Sequence, residues 1–399
     1  MKIVDVRVTP VLVPLVTPLR WSAGTELGTT RTIVELVTDE GLVGLGETRG
    51  GEAVAAAVRQ TASFFLGLDP VEALRVAKRY GFYRVTSEQL DIIGATKLAG
   101  AAVEMACWDL AGKQLGKRCG DLWGGIDREE IEFAAYVFYR QGSADEELTV
   151  DHPAEHAVEL VDRYGFRDVK FKNGILPPEQ ELVAVEKIRA SLGDRMRFLR
   201  LDPNQAWSVP TSTRFLRAVA AFDVEFCEDP TWGIEGMSLV RKDSPVPLAT
   251  NMCCVSFDQL PQTIREHAVD VILGDIHFWG GPSALGHLAK ICETFNLGMS
   301  LHSDRELGIS TAALLHFAAA HPVVSHSIDS HLPEQSDDVI AEPHRFRDGR
   351  LPVPAGAGLG VELDRDKLEE YHRRYVEQEF QDEFRDPFRP EWWPSLPIF

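Results

Sequence analysis

Five hydrophobic runs in the middle of the chain each end on a polar residue: Asp202, Glu228, Asn251, Asp275 and His302, at steps of 26, 23, 24 and 27 residues. A (β/α)₈ barrel takes about 250 residues over eight βα units and places its active sites where the strands end, so this is the pitch of barrel strands. Folded that way, the five side chains converge on one rim. The helical patterns PEQELVAVEKIRASLG, STRFLRAVAAF, SFDQLPQTIREHA, SALGHLAKICETFN and LGISTAALLHFAAAH alternate with the runs, as parallel βαβ units require. The barrel is expected over residues 126–340. It opens after Gly124-Gly125 with IEFAAYVFY (131–139) as first strand, HPAEHAVELVDRYG (152–165) as first helix and DVKFKNG as second strand. SHSIDSH (325–331) reads as a late strand.

A chain of 399 residues is longer than a barrel needs, which calls for a second, smaller domain. Residues 1–48 alternate apolar and polar in two runs, KIVDVRVTPVLVPL and RTIVELVTDEGLVGLGE, joined by WSAGTELGTT, which reads as a Gly/Thr-rich loop. From Ala53 to Leu115 the period turns helical, in AVAAAVRQTASFFLG, PVEALRVAKRYGFY and ATKLAGAAVEMACWDLAGKQLG. An α+β domain over residues 1–125 follows. Past the barrel, GRLPVPAGAGLGVELD reads as a loop and hairpin, and DKLEEYHRRYVEQEF as an amphipathic helix. The Pro- and aromatic-rich DPFRPEWWPSLPIF is suited to cover an apolar surface or join an oligomer interface.

Composition removes several classes of partner. A net charge of −20 with no cluster of Lys or Arg repels both nucleic acid and anionic membrane. No stretch approaches the roughly 18 apolar residues of a membrane span. The start of the chain has no separate apolar core with a cleavage site, and the six cysteines form no C-x-x-C pair. Reduced, buried thiols and a cytoplasmic address are expected.

The rim residues suggest their chemistry. Asp202, Glu228 and Asn251 offer three oxygen donors, and hard divalent cations such as magnesium take carboxylate and carbonyl oxygens. Any one of them alone could be a polar strand end or helix cap; three at barrel pitch favour one Mg2+. Lys170 and Lys172 stand two apart in a strand, which sends both to one face. Mutual repulsion, partial burial and a nearby metal should lower at least one of their pKa values, giving an amine base. The other reading is a solvated edge strand, which Phe171 and the apolar flanks disfavour. His302 and Asp275 close successive strands, so a carboxylate can fix the imidazole tautomer and raise its basicity. His277, His326 and His331 also lie near strand ends, but His302 has the pairing and the position.

These residues, in the motifs KFKNG, LDPNQAW, EDP, PLATNM, DIHFWGG, HSDRELGIS and IDSH, resemble the enolase superfamily over nearly the whole chain. Within it they are most similar to the glucarate dehydratase-like branch of the mandelate racemase group. The resemblance implies an α/β fold, a (β/α)₇β TIM-like barrel with an α+β capping domain that residues 341–399 return to complete. It implies magnesium on Asp202, Glu228 and Asn251, the amide standing where relatives have an acid. Lys172 and the His302/Asp275 dyad match the acid/base groups flanking the substrate, and Lys170 and Asn204 the groups that stabilise its carboxylate. Thr25, Tyr136, Phe138 and Asp304 are expected to touch substrate.

Two departures fall on specificity positions. Ser22-Ala23-Gly24-Thr25 replaces a segment that carries a substrate-binding His in glucarate dehydratases, and Ser303-Asp304 replaces the usual Ser-Asn. Asp304 should repel the second carboxylate of an aldarate unless a cation intervenes, so glucarate is expected to be a poor substrate. The expected activity is magnesium-dependent dehydration of an acid sugar to a 2-keto-3-deoxy acid, by a homo-oligomeric protein acting on a small carboxylate. The rivals are a racemase or epimerase on the same scaffold, distinguished by its products, and a catalytically silent barrel.

Overall fold

The computed structural model describes residues 1–81, 94–378, 386–393 and 395–399. Strands β1 (Ile3–Trp21), β2 (Gly24–Thr38) and β3 (Val43–Arg49) form the antiparallel meander that the alternation predicts. The segment WSAGTELGTT is not a loop, however. Both strands run into it, Trp21 pairs with Gly24, and the turn is confined to Ser22-Ala23. Its threonines are β-branched and suit a pleated surface, and neither Gly24 nor Gly28 adopts the left-handed backbone that a looser turn would use.

Helices α1 (Glu52–Thr61), α2 (Pro70–Gly81) and α3 (Ala95–Leu115) cover the meander. The expected continuation of the second helix into residues 82 and 83 lies outside the described residues. Gly44 and Gly46 bring α3 onto β3: a Cβ at Gly44 would stand 2.3 Å from the Ala106 carbonyl oxygen, and one at Gly46 2.0 Å from that of Ala102. Both obstacles are backbone. Gly46→Ala is therefore expected to destabilise the protein by about 1–3 kcal/mol through overpacking, read as a lower urea midpoint at unchanged slope. An unchanged midpoint would show that the helix moves away freely.

After the short α4 (Cys119–Leu122), the stretch expected as one strand over 131–139 serves three sheets in turn. β4 (Glu130–Glu132) pairs with a strand near the far end of the chain. β5 (Ala134–Val137) is the first barrel strand, and β6 (Tyr139–Arg140) joins Leu19 and Arg20 of β1. Its unbroken apolar run hid these breaks.

The barrel continues as α5 (His152–Tyr164), β7 (Asp168–Lys172), α6 (Pro178–Leu192), β8 (Phe198–Asp202), α7 (Val209–Val219) and β9 (Val224–Glu228). Next come α8 (Gly233–Asp243), β10 (Leu248–Thr250), α9 (Leu260–Arg265), β11 (Val271–Gly274), α10 (Pro282–Phe295), β12 (Gly298–Leu301) and α11 (Gly308–Ala320). The Gly-containing sequence of α8 had given no helical signal. The strands pair in parallel in the order β5-β7-β8-β9-β10-β11-β12. The expected late strand closes the ring through isolated bridges rather than a full strand: Val324, just before SHSIDSH, meets Met299, and Ile328 within it meets Phe133. The fold is thus a TIM-like barrel with an α+β cap.

Beyond it, β13 (Arg350–Pro352) pairs with β4, and α12 (Arg365–Glu377) returns to the cap, where His372 bonds the Pro10 carbonyl and the Tyr375 hydroxyl accepts from the Glu52 N–H. The expected extension of this helix to residues 379 and 380 lies outside the described residues. At the end of the tail, the N–H groups of Ile398 and Phe399 donate to the Ala206 carbonyl. Ile398 and Phe399 also pack against the barrel's core, so the end of the tail covers part of the chain's own apolar surface.

Candidate active site

Parallel register sets Lys172 beside Asp202 at the ends of β7 and β8. Lys172 Nζ lies 2.7 Å from Asp202 Oδ2 and also contacts Asn204 Oδ1. Asn204 and Gln205 adopt left-handed backbone, φ 54° and 64°, held by the Gln205 N–H on the Asp229 carbonyl (2.6 Å) and the Asn204 N–H on Asp202 Oδ1 (3.1 Å). Asp229 shapes the next turn as well. Its carboxylate accepts from the Thr250 hydroxyl (2.6 Å) and the Asn251 N–H (2.8 Å), which presents the Asn251 amide beside Glu228.

Lys170 is fully buried beneath this floor, with Nζ 2.5 Å from Glu228, 2.7 Å from Asp329 and 3.2 Å from Asp202. The expected repulsion between two lysines gives way to an acidic cluster. Burial pulls the Lys170 pKa down, but Asp329 and Glu228 more than offset it and hold the ammonium well above its ordinary range. Burial also opposes ionisation of both acids. In Asp202 the charges of Lys172 and Lys170 prevail and hold the carboxyl at about 2, whereas Glu228, with the Asp202 charge beside it, rises to about 8. The floor therefore remains short of positive charge.

The amide of Asn251 is part of that imbalance. With nitrogen toward the acids it donates to Asp229 Oδ2 and Glu228 Oε1, both at 2.9 Å, and its oxygen accepts from His302 Nε2 at 2.7 Å. Turned over, it would set oxygen against two carboxylates, an arrangement that only a cation between them stabilises. Among the described residues no three His, Cys, Asp or Glu form a metal cluster; the oxygen donors gathered at this floor are the two acids and the amide.

His302 Nδ1 lies 2.9 Å from Asp275 Oδ2, while Asp275 Oδ1 accepts the N–H groups of His277 (2.7 Å) and Phe278 (2.8 Å). Burial lowers the imidazole pKa, but the hydrogen bond and charge of Asp275 raise it on balance. Asp275 thus fixes the ring at Nδ1 and leaves Nε2, which faces the Asn251 amide, as the nitrogen that can take or give a proton.

Above the floor lies a cavity of about 680 Å³ into which Lys172, Asn204, Asn251, His302, Tyr136, Phe138 and Asp304 all open. Asp202, Glu228, Asp275 and Lys170 lie below it, at 0–1% exposure. Thr25 does not reach it: its hydroxyl faces Arg20 at 3.3 Å, and strand alternation turns the neighbouring Glu26 into the cavity instead. The carboxylate of Asp304 is not the unscreened charge that the sequence suggested. Arg49 stands 3.1 Å away, Arg305 3.6 Å and Arg31 3.9 Å; against the cost of burial these cations hold its pKa far below the usual carboxylate range.

Sequence reasoning missed several residues of the cavity. His331, passed over among the strand-end histidines, bonds Ser303 Oγ at 2.8 Å and packs on Tyr136 with centroids 4.7 Å apart. Its place at the end of IDSH was the available signal. Trp21, Glu26 and Arg49 come from the cap, and barrel pitch says nothing of them.

Residues 152–367 match the enolase C-terminal domain-like family, and residues 3–124 match the mandelate racemase / muconate lactonizing enzyme N-terminal domain. The chain belongs to the enolase superfamily. It is a glucarate dehydratase-like enzyme: it is 37% identical to a probable glucarate dehydratase of Streptomyces coelicolor, over 94% of this chain and 92% of that one. It is also 29% identical to a D-gluconate dehydratase of Thermoproteus tenax, over 85% of this chain and 69% of that one. Among solved structures, an enolase from Thermobispora bispora complexed with magnesium and formate superposes with a TM-score of 0.92 at 39% identity, over 100% of both chains. One from Mycobacterium smegmatis complexed with tartrate does so at 0.91 and 36%, over 100% of this chain and 98% of that one.

Proposed function

We propose that this enzyme dehydrates an acid sugar, with magnesium, to a 2-keto-3-deoxy acid. The observation that carries the reading is one cavity into which a lysine amine from β7, an Asp-paired imidazole after β12 and the amide of Asn251 open, with the carboxylates of Asp202 and Glu228 in the floor beneath, between them in strand order. Asp202, Glu228 and Asn251 would hold the metal, as the charge-deficient floor favours. When bound, magnesium supplies positive charge that lowers the cost of negative charge developing on the substrate carboxylate.

The chain's own residues do the rest. Asn204 positions that carboxylate, and Lys170 balances the acids from beneath. Whichever of Lys172 and His302 faces the α-carbon takes its proton. The β-carbon–oxygen bond then breaks, the hydroxyl leaves as water with a proton from the acid partner, and the resulting enol tautomerises to the 2-keto acid. Six free, buried cysteines suit a reducing compartment such as the cytoplasm.

A panel of aldonic and aldaric acids, assayed with magnesium for 2-keto acid formation, tests the reading. At least one should be turned over at kcat/KM of about 10⁴ M⁻¹s⁻¹ or more. Inversion at the α-carbon without loss of water would instead establish an epimerase, a reading kept open because a 28% identical relative from Enterococcus faecalis is a hydrophobic dipeptide epimerase.

A further inference from the structure

The tip of the hairpin between β1 and β2 forms one side of the cavity. A register irregularity between Pro14 and Leu19 separates it from the rest of the meander, so the tip consists of three cross-strand pairs: Leu19 with Glu26, Arg20 with Thr25 and Trp21 with Gly24. β6 supports Leu19 and Arg20 along one edge and stops before Trp21. Cross-strand partners share a face. On the inner face Leu19 packs with Tyr136 and Phe138, Glu26 meets Arg305 of the barrel, and Trp21 lines the cavity with its ring centre 5.8 Å from Lys172 Nζ. The outer face is Arg20 and Thr25. A two-stranded ribbon this short is marginal by itself, so what backs its outer face helps decide where Trp21 stands.

The C-terminal tail backs it. Arg20, 6% exposed, donates from Nη1 to Asp386 Oδ2 at 2.5 Å, and its guanidinium lies 5.3 Å from the centre of the Trp392 ring. Asp386 is 1% exposed and organises this part of the tail. Its Oδ2 also accepts from Arg389 Nε at 2.7 Å, its Oδ1 accepts the Phe388 N–H at 3.0 Å, and Arg389 lies over Trp392, 4.0 Å from the ring centre. Further along, the tail meets the barrel side of the site. The Ile398 and Phe399 N–H groups bind the Ala206 carbonyl at 2.7 and 3.0 Å, and the Ser208 N–H donates to the Phe399 carbonyl at 2.7 Å, directly after the turn that carries Asn204. One segment thus touches both the hairpin that bears Trp21 and the turn that bears Asn204.

We propose that Asp386 and Trp392 are positioning residues of the active site: acting through Arg20, they hold the hairpin tip so that Trp21 stands against the substrate. The inference rests on the acid-sugar reading above for the identity of that substrate. Without the Asp386 charge, Arg20 is a buried guanidinium lacking its counter-ion, a strongly unfavourable state that it escapes by moving toward water. Arg20 and Trp21 are consecutive, so the ring moves with it. Where only a fraction of molecules keeps the hairpin in place, the apparent dissociation constant rises by the inverse of that fraction, while the complex once formed reacts as before. The signature is a raised KM at unchanged kcat. A tail that served only to keep the protein folded would instead lower the amount of active enzyme, and so kcat at unchanged KM.

Two variants of the full chain test the proposal. Asp386→Asn keeps the shape and removes the charge; Trp392→Ala leaves the ion pair, removes the ring, and serves if the first variant does not fold. With magnesium and an acid sugar from the panel that is turned over, KM should rise about tenfold or more in Asp386→Asn with kcat within about threefold of wild type, and by a smaller factor in Trp392→Ala. Hydrogen exchange read by mass spectrometry needs no substrate. The amides of residues 19–26 should exchange about tenfold or more faster in Asp386→Asn, and those of β8 and β9 at the wild-type rate. Exchange over residues 19–26 unmoved in both variants, acceleration spread evenly through the barrel, or a fall in kcat at unchanged KM overturns the proposal. If no acid sugar is turned over, the dehydratase reading fails by itself, and the exchange measurement alone decides the role of the tail.

Discussion

Exchanging Glu228 for Gln is expected to weaken magnesium binding by more than about 100-fold, since even the outer partners of metal ligands are worth about 10–100-fold. The site has two formal negative charges to offer a cation, on Asp202 and Glu228, and the substitution removes one while keeping the shape. Glu228 is also the acid whose ionisation is least favoured, because burial and the Asp202 charge both oppose it. A divalent cation reverses both effects, so binding should release a proton wherever Glu228 is protonated beforehand. Calorimetry in two buffers of different ionisation enthalpy reads affinity and proton release together, without reference to turnover. Chelation should abolish 2-keto acid formation and magnesium should restore it. Unchanged magnesium affinity in the variant, with a thermal unfolding curve showing it folded, would remove Glu228 from the proposed metal set.

What the sequence discloses about this site follows from where periodicity operates. Residues at strand ends recur at the spacing of a βα unit, so spacing alone puts Asp202, Glu228, Asn251, Asp275 and His302 on one rim. The partners that set their charge state are less regular. Asp329 reaches Lys170 from the closing segment, which pairs only through isolated bridges and has no pitch of its own. Asp229 follows Glu228 directly, and nothing in its position distinguishes a ligand from the residue that shapes the next turn. The cap is harder still. Arg31 and Arg49 lie in strands whose alternation shows which residues share a face, but not what that face docks against. The repulsion expected of Asp304 was therefore assigned without its cations. The hairpin tip at Ser22-Ala23 failed for a local reason, because glycine and threonine together suit both a loop and a twisted strand pair.

Replacing His302 with Asn should stop turnover of substrates whose α-proton faces it, by about 10²–10⁴-fold or more for loss of a general acid/base. Exchange on the opposite face should persist through Lys172. Lys172 leaves from β7 and His302 follows β12, and β8, β9, β10 and β11 lie between them in the sheet, so the two reach the same cavity from separated parts of the rim. Each has an anchor of its own, Asp202 for the amine and Asp275 for the ring, which lets one be removed without unseating the other. Lys172→Ala should then give the mirror-image defect. Asp275→Asn should give a milder form of the His302 defect, since it disturbs the ring's protonation and tautomer but leaves the ring in place. The measurement is α-proton exchange followed by NMR in deuterium oxide, on a pair of C2-epimeric acid sugars, with magnesium affinity determined for every variant so that a lost metal is not mistaken for a lost base. If His302→Asn and Lys172→Ala suppress exchange equally for both epimers while magnesium still binds, the two-faced assignment fails, and one of the two groups must act only by holding or polarising the substrate.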